Sequence, residues 1–410
     1  LIAAGCAVTI AALAVPAASF YNEPRLTAVM LVLAGGWLLQ GFDNIGVVNF
    51  RREMDFAREF RLLLSKKAVG FVVTISLALT LQSYWALIAG TIMSRFAGVL
   101  LSYWMHPFRP RFTLAASRQL FSFSSWLLLN NILLSTLHNV QLFYVGRVHG
   151  PRALGLYTVG HEIAFLPSSE LVAPINRAVF PGYSRMATDA DTLRSGFLDV
   201  ISVILIIALP ASLGLAAIAD PFVRVVLGDK WLDAIPVMSV LAFSGAIGAM
   251  QSNNASAYLA LGKQRVLMFV MTTQLIVLVT LMLLFGRAYG IVGVAYADVA
   301  AATAGLAVSY PVLFKTLNIS VASYGQVIWR PLLAAAAMGL IVHALAGQLA
   351  EGAEPLAAVW QLAVLIPAGV AIYVSAVAVL WLAAGKPTGA ETMLLSRLAD
   401  AKSRFRRISD

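Results

Sequence analysis

Apolar segments of about twenty residues recur along the whole chain, and they constrain its fold more than any other feature. Each is about as long as a helix that crosses a bilayer core of ~30 Å. With 60% hydrophobic and only 12% charged residues, the chain is predicted to be an all-α polytopic membrane protein. We predict twelve spans, at 1–20, 26–49, 68–83, 84–104, 119–144, 153–180, 198–219, 236–261, 266–286, 290–314, 327–348 and 357–384.

Lys and Arg are divided unevenly between the two sides of this topology. Alternate connections on one side, together with the tail, carry twenty of the 29 basic residues, and the other side carries six. The positive-inside rule therefore predicts a cytoplasmic C-terminus. The net charge of +10 indicates orientation and contact with anionic lipid rather than nucleic acid. The basic tail at 385–410 is predicted to lie on the cytoplasmic leaflet as an amphipathic helix.

A faint internal repeat indicates two related halves. Three matches occur in the same order at offsets near 200 residues: Pro16 with Pro210, Asp43-Asn44 with Asn253-Asn254, and Gly98–Tyr103 with Gly305–Tyr310. We expect two helix bundles in the same orientation, related by a pseudo-twofold axis. The spacing also places the start of the first bundle before Leu1, so its first two helices are expected to be missing.

The repeat and the spans together predict the domain organisation. The predicted domains are the four-span remainder of the first bundle at 1–104, a six-span bundle at 117–314, an extra helix pair at 327–384 and the tail at 385–410.

Two spans carry polar stripes that a lipid-facing helix would not have. A carboxylate deep in hydrocarbon costs at least ~2.5–3.5 kcal/mol, so such groups are expected to face protein or a wet cavity. The simplest interpretation is a hydrophilic path; the alternative is polar contact that only joins helices. The stripes are Ser124, Asn131, Ser135 and His138 in the first span, and Thr158, Glu162, Ser169 and Asn176 in the second, beside Pro167 and Pro174.

A set of short motifs, spread over nearly the whole chain, carries a family resemblance. They are Phe108–Phe112, Phe121–Ser124, Gly146-Arg147 with Gly150, Leu154–Tyr157, Pro167, Phe180–Arg185, Leu227–Trp231 and Gly290–Ala295. In their order and spacing the chain resembles the polysaccharide or O-antigen flippases of the multidrug/oligosaccharidyl-lipid/polysaccharide exporter superfamily. One position departs from the pattern: where relatives commonly carry an acidic residue, this chain has Gln141. The resemblance therefore assigns no ion-coupling carboxylate there.

The resemblance implies a transporter rather than an enzyme. Its substrate would be an oligosaccharide repeat unit on a polyprenyl diphosphate, moved across the bacterial inner membrane by alternating access for lipopolysaccharide, O-antigen or exopolysaccharide synthesis. The implied partners are this lipid-linked substrate, membrane lipids, H⁺ or Na⁺, and polysaccharide polymerase machinery. No cofactor is expected, and the single Cys6 with no His/Cys cluster predicts no metal site.

Carrying a diphosphate requires cationic groups, and sugars require neutral hydrogen-bonding groups. Arg95, in the middle of a span, is expected to pair with the diphosphate; the alternative is a salt bridge to Asp43 or Glu162. Asp43 and Asp298 are candidates for ion coupling, or alternatively structural partners of a cation. The predicted substrate-binding residues are Arg95, Asn131, His138, Glu162, Arg177, Asn253 and Asn254.

Two other functions are compatible with an apolar, basic, polytopic chain. A multidrug or cation antiporter of the same superfamily usually has twelve spans, which the repeat and the final helix pair argue against. A polytopic glycan polymerase or ligase needs a reaction site outside the membrane, and the longest outward loop, at 220–235, has no plausible catalytic pair.

Overall fold

The computed structural model describes residues 2–53, 55–109, 117–186, 189–349, 355–387, 389 and 391–392. Its α-helices are α1 (Ile2–Tyr21), α2 (Arg25–Gln40), α3 (Val48–Arg52), α4 (Phe56–Leu81), α5 (Trp85–Met105), α6 (Ser117–Val148), α7 (Gly150–Leu166), α8 (Ala173–Met186), α9 (Ala190–Ala217), α10 (Ala219–Val226), α11 (Ile235–Ala260), α12 (Gln264–Leu317), α13 (Val321–Gln348) and α14 (Pro355–Ala383). Short 3₁₀ segments at Ile45–Val47 and Asp229–Ala234 and a π-helical turn at Pro167–Val172 complete the elements.

Eight helices of the described part are long and apolar enough to span a membrane. Within that part the backbone forms helices and turns only, so the predicted all-α polytopic membrane fold is confirmed. Helix α12 covers two predicted spans and α2 has only 16 residues; the count of twelve stays a prediction. The predicted tail helix lies, beyond residue 392, outside the described residues.

The chain divides into two compact units, Leu1–Ser125 and Trp126–Asp410. The domain limits given above and the pseudo-twofold axis stay predictions. In the first unit, α1 packs on α2, α2 on α5, and α4 on α5. Helix α4 begins earlier than the span predicted from residue 68, because Asp55 caps it by accepting a hydrogen bond of 3.0 Å from Arg58 N and no helix breaker follows.

Asn44 joins the loop after α2 to the end of α5. Its side chain is fully buried. The amide Nδ2 donates to Phe108 O at 2.8 Å and His106 O at 3.1 Å, and Oδ1 accepts from Gly46 N at 2.9 Å. The backbone N of Asn44 donates to Ser102 Oγ at 3.0 Å. One residue therefore satisfies the polar backbone where two helices end.

In the second unit, α9 is the centre of the core. It packs against α11 and α13, and α14 packs on α13. Its buried face repeats at helical spacing through Leu193, Phe197, Ile201, Leu205 and Leu209. This unit also holds the π-helical turn that begins at Pro167, where proline removes a backbone donor from the helix.

Helix α12 folds back on itself at Gly290, whose φ of 62° and ψ of −144° interrupt the helix. Only glycine adopts this conformation without strain. Beyond the break, a Cβ on Gly293 would lie 2.5 Å from the carbonyl carbon of Phe285, so the two legs approach at backbone distance. Farther out, Gln274 packs against Gly305. The Gly290–Gly293 pair therefore builds a tight helical hairpin.

The internal repeat corresponds to repeated contacts within the two units. Asn44 bonds Ser102 in the first unit, and in the second Asn254 Nδ2 donates to Ser309 Oγ at 3.1 Å. A second pair of contacts follows the same spacing: Lys66 forms an ion pair with Asp43 at 3.7 Å and packs against Gly98, and Gln274 bonds Gln251 at 3.2 Å and packs against Gly305. The matches of Asn44 with Asn254 and of Ser102 with Ser309 thus join residues that contact each other in both units. For Asp43 the contacts correspond to Gln251 and not to Asn253, the residue that the sequence match gave.

Candidate functional site

A cavity of about 410 Å³, lined by both polar and apolar residues, lies inside the second unit, between α6, α7, α11 and α12. Polar groups are rare in these helices, yet several converge here. Its polar lining consists of His138, Gln141, His161, Ser244, Gln251, Gln274 and Asp298. Because hydrocarbon offers no partners to such groups, a cavity of this kind inside a membrane bundle is suited to water, ions or polar solutes.

A chain of hydrogen bonds fixes one wall of the cavity. Gln141 Nε2 donates to Asp298 Oδ1 at 2.5 Å, and Tyr157 OH donates to Gln141 Oε1 at 3.0 Å. Gln141 and Tyr157 are buried, whereas Asp298 is half-buried. The amide of Gln141 is therefore held in one orientation, with its donor toward the carboxylate.

Two aromatic contacts position His161 beside this chain. Its ring stacks on Phe165 at 4.5 Å between centroids and lies 6.2 Å from the ring of Tyr157. The three residues follow one another at a spacing of four on α7, so they share one face of the helix. His161 and Asp298 both line the cavity, so an imidazole and a carboxylate face the same space.

Glycines allow α7 and α11 to approach closely at this wall. A Cβ on Gly245 would lie 2.8 Å from Ala164 O, and one on Gly160 would lie 3.3 Å from Val237 Cγ1. Small residues of this kind let membrane helices pack at backbone distance. The close contact brings Ser244 toward the wall that Asp298 occupies.

The opposite wall consists of amides. Gln251 Nε2 donates to Ala302 O at 2.7 Å. The other amide atom of this residue, Oε1, accepts from Gln274 Nε2 at 3.2 Å. The cavity thus combines one carboxylate, imidazoles and neutral amides. No group of three or more His, Cys, Asp or Glu side chains suited to a metal occurs among the described residues.

The predicted site residues are distributed over both units. Arg95, on α5, lies with its guanidinium carbon 5.0 Å from the ring centroid of Trp37, and its Nη1 is buried without a hydrogen bond among the described residues. Asp43 pairs with Lys66 rather than with Arg95. The structural alternative for Asp43 therefore has a specific partner, and its coupling role stays a prediction.

The two asparagines of the second unit are buried within helix packing. Asn253 Nδ2 donates to Tyr183 OH at 2.7 Å, and Asn254 bonds Ser309 as described above. The Oδ1 atom of each is buried and has no hydrogen-bond partner among the described residues. Their contact with substrate stays a prediction.

Among the stripe residues whose side chains the structure describes, only His138 lines the cavity, which brings it together with Asp298. Asn131 and Glu162 are exposed, and the side chain of Arg177 lies outside the described residues. Sequence reasoning missed His161, Tyr157 and Gln274. The sequence signal that could have found Tyr157 and His161 was their spacing of four, which continues to Phe165 and places all three on one helix face. That face is offset by one residue from the stripe that contains Thr158 and Glu162.

Comparison with known proteins gives concordant matches. The family model described as "Polysaccharide biosynthesis protein" matches residues 1–236. The teichuronic acid biosynthesis protein TuaB of Bacillus subtilis (strain 168) is 23% identical over 362 residues, covering 87% of this chain and 74% of TuaB. The lipopolysaccharide biosynthesis protein WzxC of Escherichia coli (strain K12) is 26% identical over 345 residues, covering 80% and 69%.

A solved structure shares the fold. The lipid II flippase MurJ, in its inward closed conformation, matches with a TM-score of 0.71 at 14% identity, over 93% of this chain and 82% of the MurJ chain. The likeness covers both units and is one of fold.

Proposed function

The chain belongs to the family of polysaccharide biosynthesis proteins, and on that premise we propose that it carries a lipid-linked oligosaccharide from one face of a bacterial membrane to the other. The observation that carries this proposal is a cavity on which several polar side chains converge, within an apolar, multi-pass helix bundle. A hydrated glycan needs such surroundings to cross hydrocarbon. The movement breaks no covalent bond and needs no nucleophile.

The proposed substrate is an oligosaccharide repeat unit on a polyprenyl diphosphate. Relatives named for teichuronic acid and lipopolysaccharide biosynthesis, and a fold shared with a lipid II flippase, support this substrate class. The Lys and Arg distribution supports an inner-membrane orientation with the C-terminus in the cytoplasm. Transport proceeds by alternating access, with glycan delivered to the periplasmic face and passed to polymerase machinery.

Arg95 is proposed to bind the diphosphate. Its guanidinium is partly shielded by Trp37, and its Nη1 still has donors to offer. A planar guanidinium binds phosphate oxygens through paired hydrogen bonds that an ammonium group does not reproduce. The other proposed substrate contacts are Asn131, His138, Glu162, Arg177, Asn253 and Asn254.

Asp298 is proposed to couple transport to H⁺ or Na⁺. The carboxylate faces a cavity that two histidines also line, and it accepts a hydrogen bond from a neutral amide. It forms no ion pair with a basic residue in the part of the chain that the structure describes. Such a group changes its charge or binds a cation without first breaking an ion pair. Asp43 is a second candidate, with Lys66 as its competing partner.

The substrate class is tested by deleting the gene in its host and measuring lipid-linked oligosaccharide on the cytoplasmic face. We expect this intermediate to accumulate and surface polysaccharide to fall, both restored by the wild-type gene. Unchanged surface polysaccharide and no accumulation would contradict the proposal.

The Arg95 and Asp298 roles are tested in the complemented strain and in proteoliposomes. Arg95→Ala is expected to abolish export and Arg95→Lys to restore it only in part. Asp298→Asn is expected to remove the dependence of transport on an imposed H⁺ or Na⁺ gradient. Asp233→Asn, which removes an exposed carboxylate, is the matched control. Normal export by both Arg95 variants, or a gradient dependence that survives Asp298→Asn, would refute the respective role.

A further inference from the structure

A second polar cavity lies apart from the one described above, at the other end of the core of the second unit. It has a volume of about 530 Å³ and is formed by the beginnings of α9 and α13 and the segment that follows α14. The residues that matter for its chemistry are Asp199, Ser202, Gln326, Trp329 and Arg330. None of them belongs to the proposed transport site.

Arg330 gives this cavity a buried cation. The residue is only 4% exposed, and its Nε lies 3.2 Å from Glu391 Oε1. Its Nη1 is also buried, yet it makes no hydrogen bond among the described residues. A guanidinium has five donors, and an unsatisfied buried donor costs about 1–3 kcal/mol. A ligand with an acceptor oxygen would remove that cost.

The charge balance of the cavity selects the kind of acceptor. Arg330 and Asp199 line the cavity with one positive and one negative charge, and Glu391, which pairs with Arg330, adds a second negative charge beside it. Glu391 is paired, whereas Asp199 is exposed and forms no ion pair among the described residues. A purely anionic ligand would meet a site that is already negative. A ligand carrying both a phosphate and a cationic amine would match Arg330 and Asp199 together.

An apolar groove continues along the same three helices. It has a volume of about 520 Å³ and is lined by Ile206 and Pro210 of α9, Met338 and Val342 of α13, and Leu365 of α14. At 1.5 Å per residue, Met338 lies about 12 Å along its helix from Arg330. Polar contacts for a headgroup and an apolar surface for acyl chains thus follow each other at the spacing of a lipid molecule.

We propose that this cavity and groove bind a phospholipid with an ethanolamine headgroup, a site separate from the transport path. The phosphate accepts a hydrogen bond from Arg330 Nη1, the ammonium donates to Asp199, and the acyl chains follow the apolar groove. Trp329 lies at the headgroup level, where tryptophan is common in membrane proteins.

The test is a lipid titration of the full chain in detergent, read by native mass spectrometry. Phosphatidylethanolamine, phosphatidylglycerol and phosphatidylcholine with identical acyl chains are compared. The wild type is expected to bind its first phosphatidylethanolamine about fivefold more tightly than phosphatidylglycerol, as one ion pair would give. It should also bind it more tightly than phosphatidylcholine, whose quaternary ammonium has no N–H to donate to Asp199. Asp199→Asn should remove this preference, and Asp199→Lys should shift it toward phosphatidylglycerol.

Two controls separate the site from general effects. Asp191→Asn removes an exposed carboxylate from the same helix outside the cavity and should keep the preference. Arg330→Gln with Glu391→Gln removes the buried ion pair without leaving either charge alone, and should weaken phosphatidylethanolamine binding. Equal binding of the three lipids by the wild type, or a preference unchanged by Asp199→Asn, would overturn the proposal.

Discussion

Asn44 offers a test of whether side-chain amide donors hold the first unit together. Replacing it with alanine removes two hydrogen bonds to the carbonyls of Phe108 and His106 and one from Gly46 N. At about 1 kcal/mol for each buried bond, Asn44→Ala should lower the free energy of unfolding by about 3 kcal/mol. Asn44→Asp keeps the shape and the acceptor, but places a carboxylate oxygen against two carbonyl oxygens.

The two Asn44 variants should therefore differ in their free energy of unfolding. At pH 8, Asn44→Asp is expected to destabilise the protein more than Asn44→Ala, since a buried carboxylate that faces two carbonyl oxygens costs more than an absent group. Lowering the pH should recover part of the loss only in Asn44→Asp, because a protonated carboxyl donates one hydrogen bond. The assay is unfolding in mixed micelles with increasing dodecyl sulfate.

Asn139 provides the matched control. Its Nδ2 donates to Ser135 O within its own helix, at a half-buried position and without a partner on another helix among the described residues. Asn139→Ala and Asn139→Asp should therefore each change stability by less than about 1 kcal/mol. The reasoning is refuted if Asn44→Asp at pH 8 is as stable as Asn44→Ala, or if both Asn44 variants match the Asn139 variants.

Three further changes can be measured by thermal unfolding in detergent. Gly290→Ala should cost about 1–3 kcal/mol through its positive φ, whereas Gly347→Ala, in a regular helix with open space around it, should be neutral or stabilising; equal effects would count against the hairpin. Gly293→Ala should be more damaging than Gly305→Ala, because the first Cβ meets backbone and the second a flexible side chain; the reverse order would contradict this packing. Hydrogen bonds from the hydroxyl and backbone N–H of the threonine three residues on lower the pKa of Asp189, so its stabilisation is present above the unfolded pKa of ~3.9 and lost as pH falls through the folded value. Asp189→Ala should therefore lower the midpoint at neutral pH, with a gap to the wild type that closes in acid; a constant gap would contradict the capping role.

Much of the fold was predictable because each membrane-spanning helix requires a long apolar segment that is visible in the sequence. The hydrophobic spans predicted the all-α membrane fold, and the glycine motif at Gly290–Ala295 marked the place where α12 turns back. The faint repeat also predicted tertiary contacts. It matched Asn44 with Asn254 and Ser102 with Ser309, and in the structure Asn44 bonds Ser102 and Asn254 bonds Ser309.

The candidate site was less predictable, because polarity on a helix does not reveal which face is lined by protein. Thr158 Oγ1 donates to Leu154 O in its own helix, so its presence in a stripe says nothing about a tertiary partner. Tyr157 and His161, one residue away, form part of the cavity wall but look partly apolar in a hydropathy pattern. A shift of one residue turns a helix by about 100°.

Pairings between distant helices were beyond sequence reasoning for a different reason. Asp43 and Lys66 belong to separate segments, and nothing local distinguishes Lys66 as the partner from Arg95. The structure selects it because α4 and α5 pack together and bring Lys66 across Gly98 toward Asp43.

The turn at Gly290 has a practical consequence for labelling the protein. One residue reverses the chain here, between two legs of α12 that are in backbone contact. This connection therefore cannot accommodate an inserted epitope, fluorescent reporter or protease site without a change in the packing of the legs. An insertion there would separate the two legs of α12 and disturb both walls of the cavity, since Gln274 lies on one leg and Asp298 on the other.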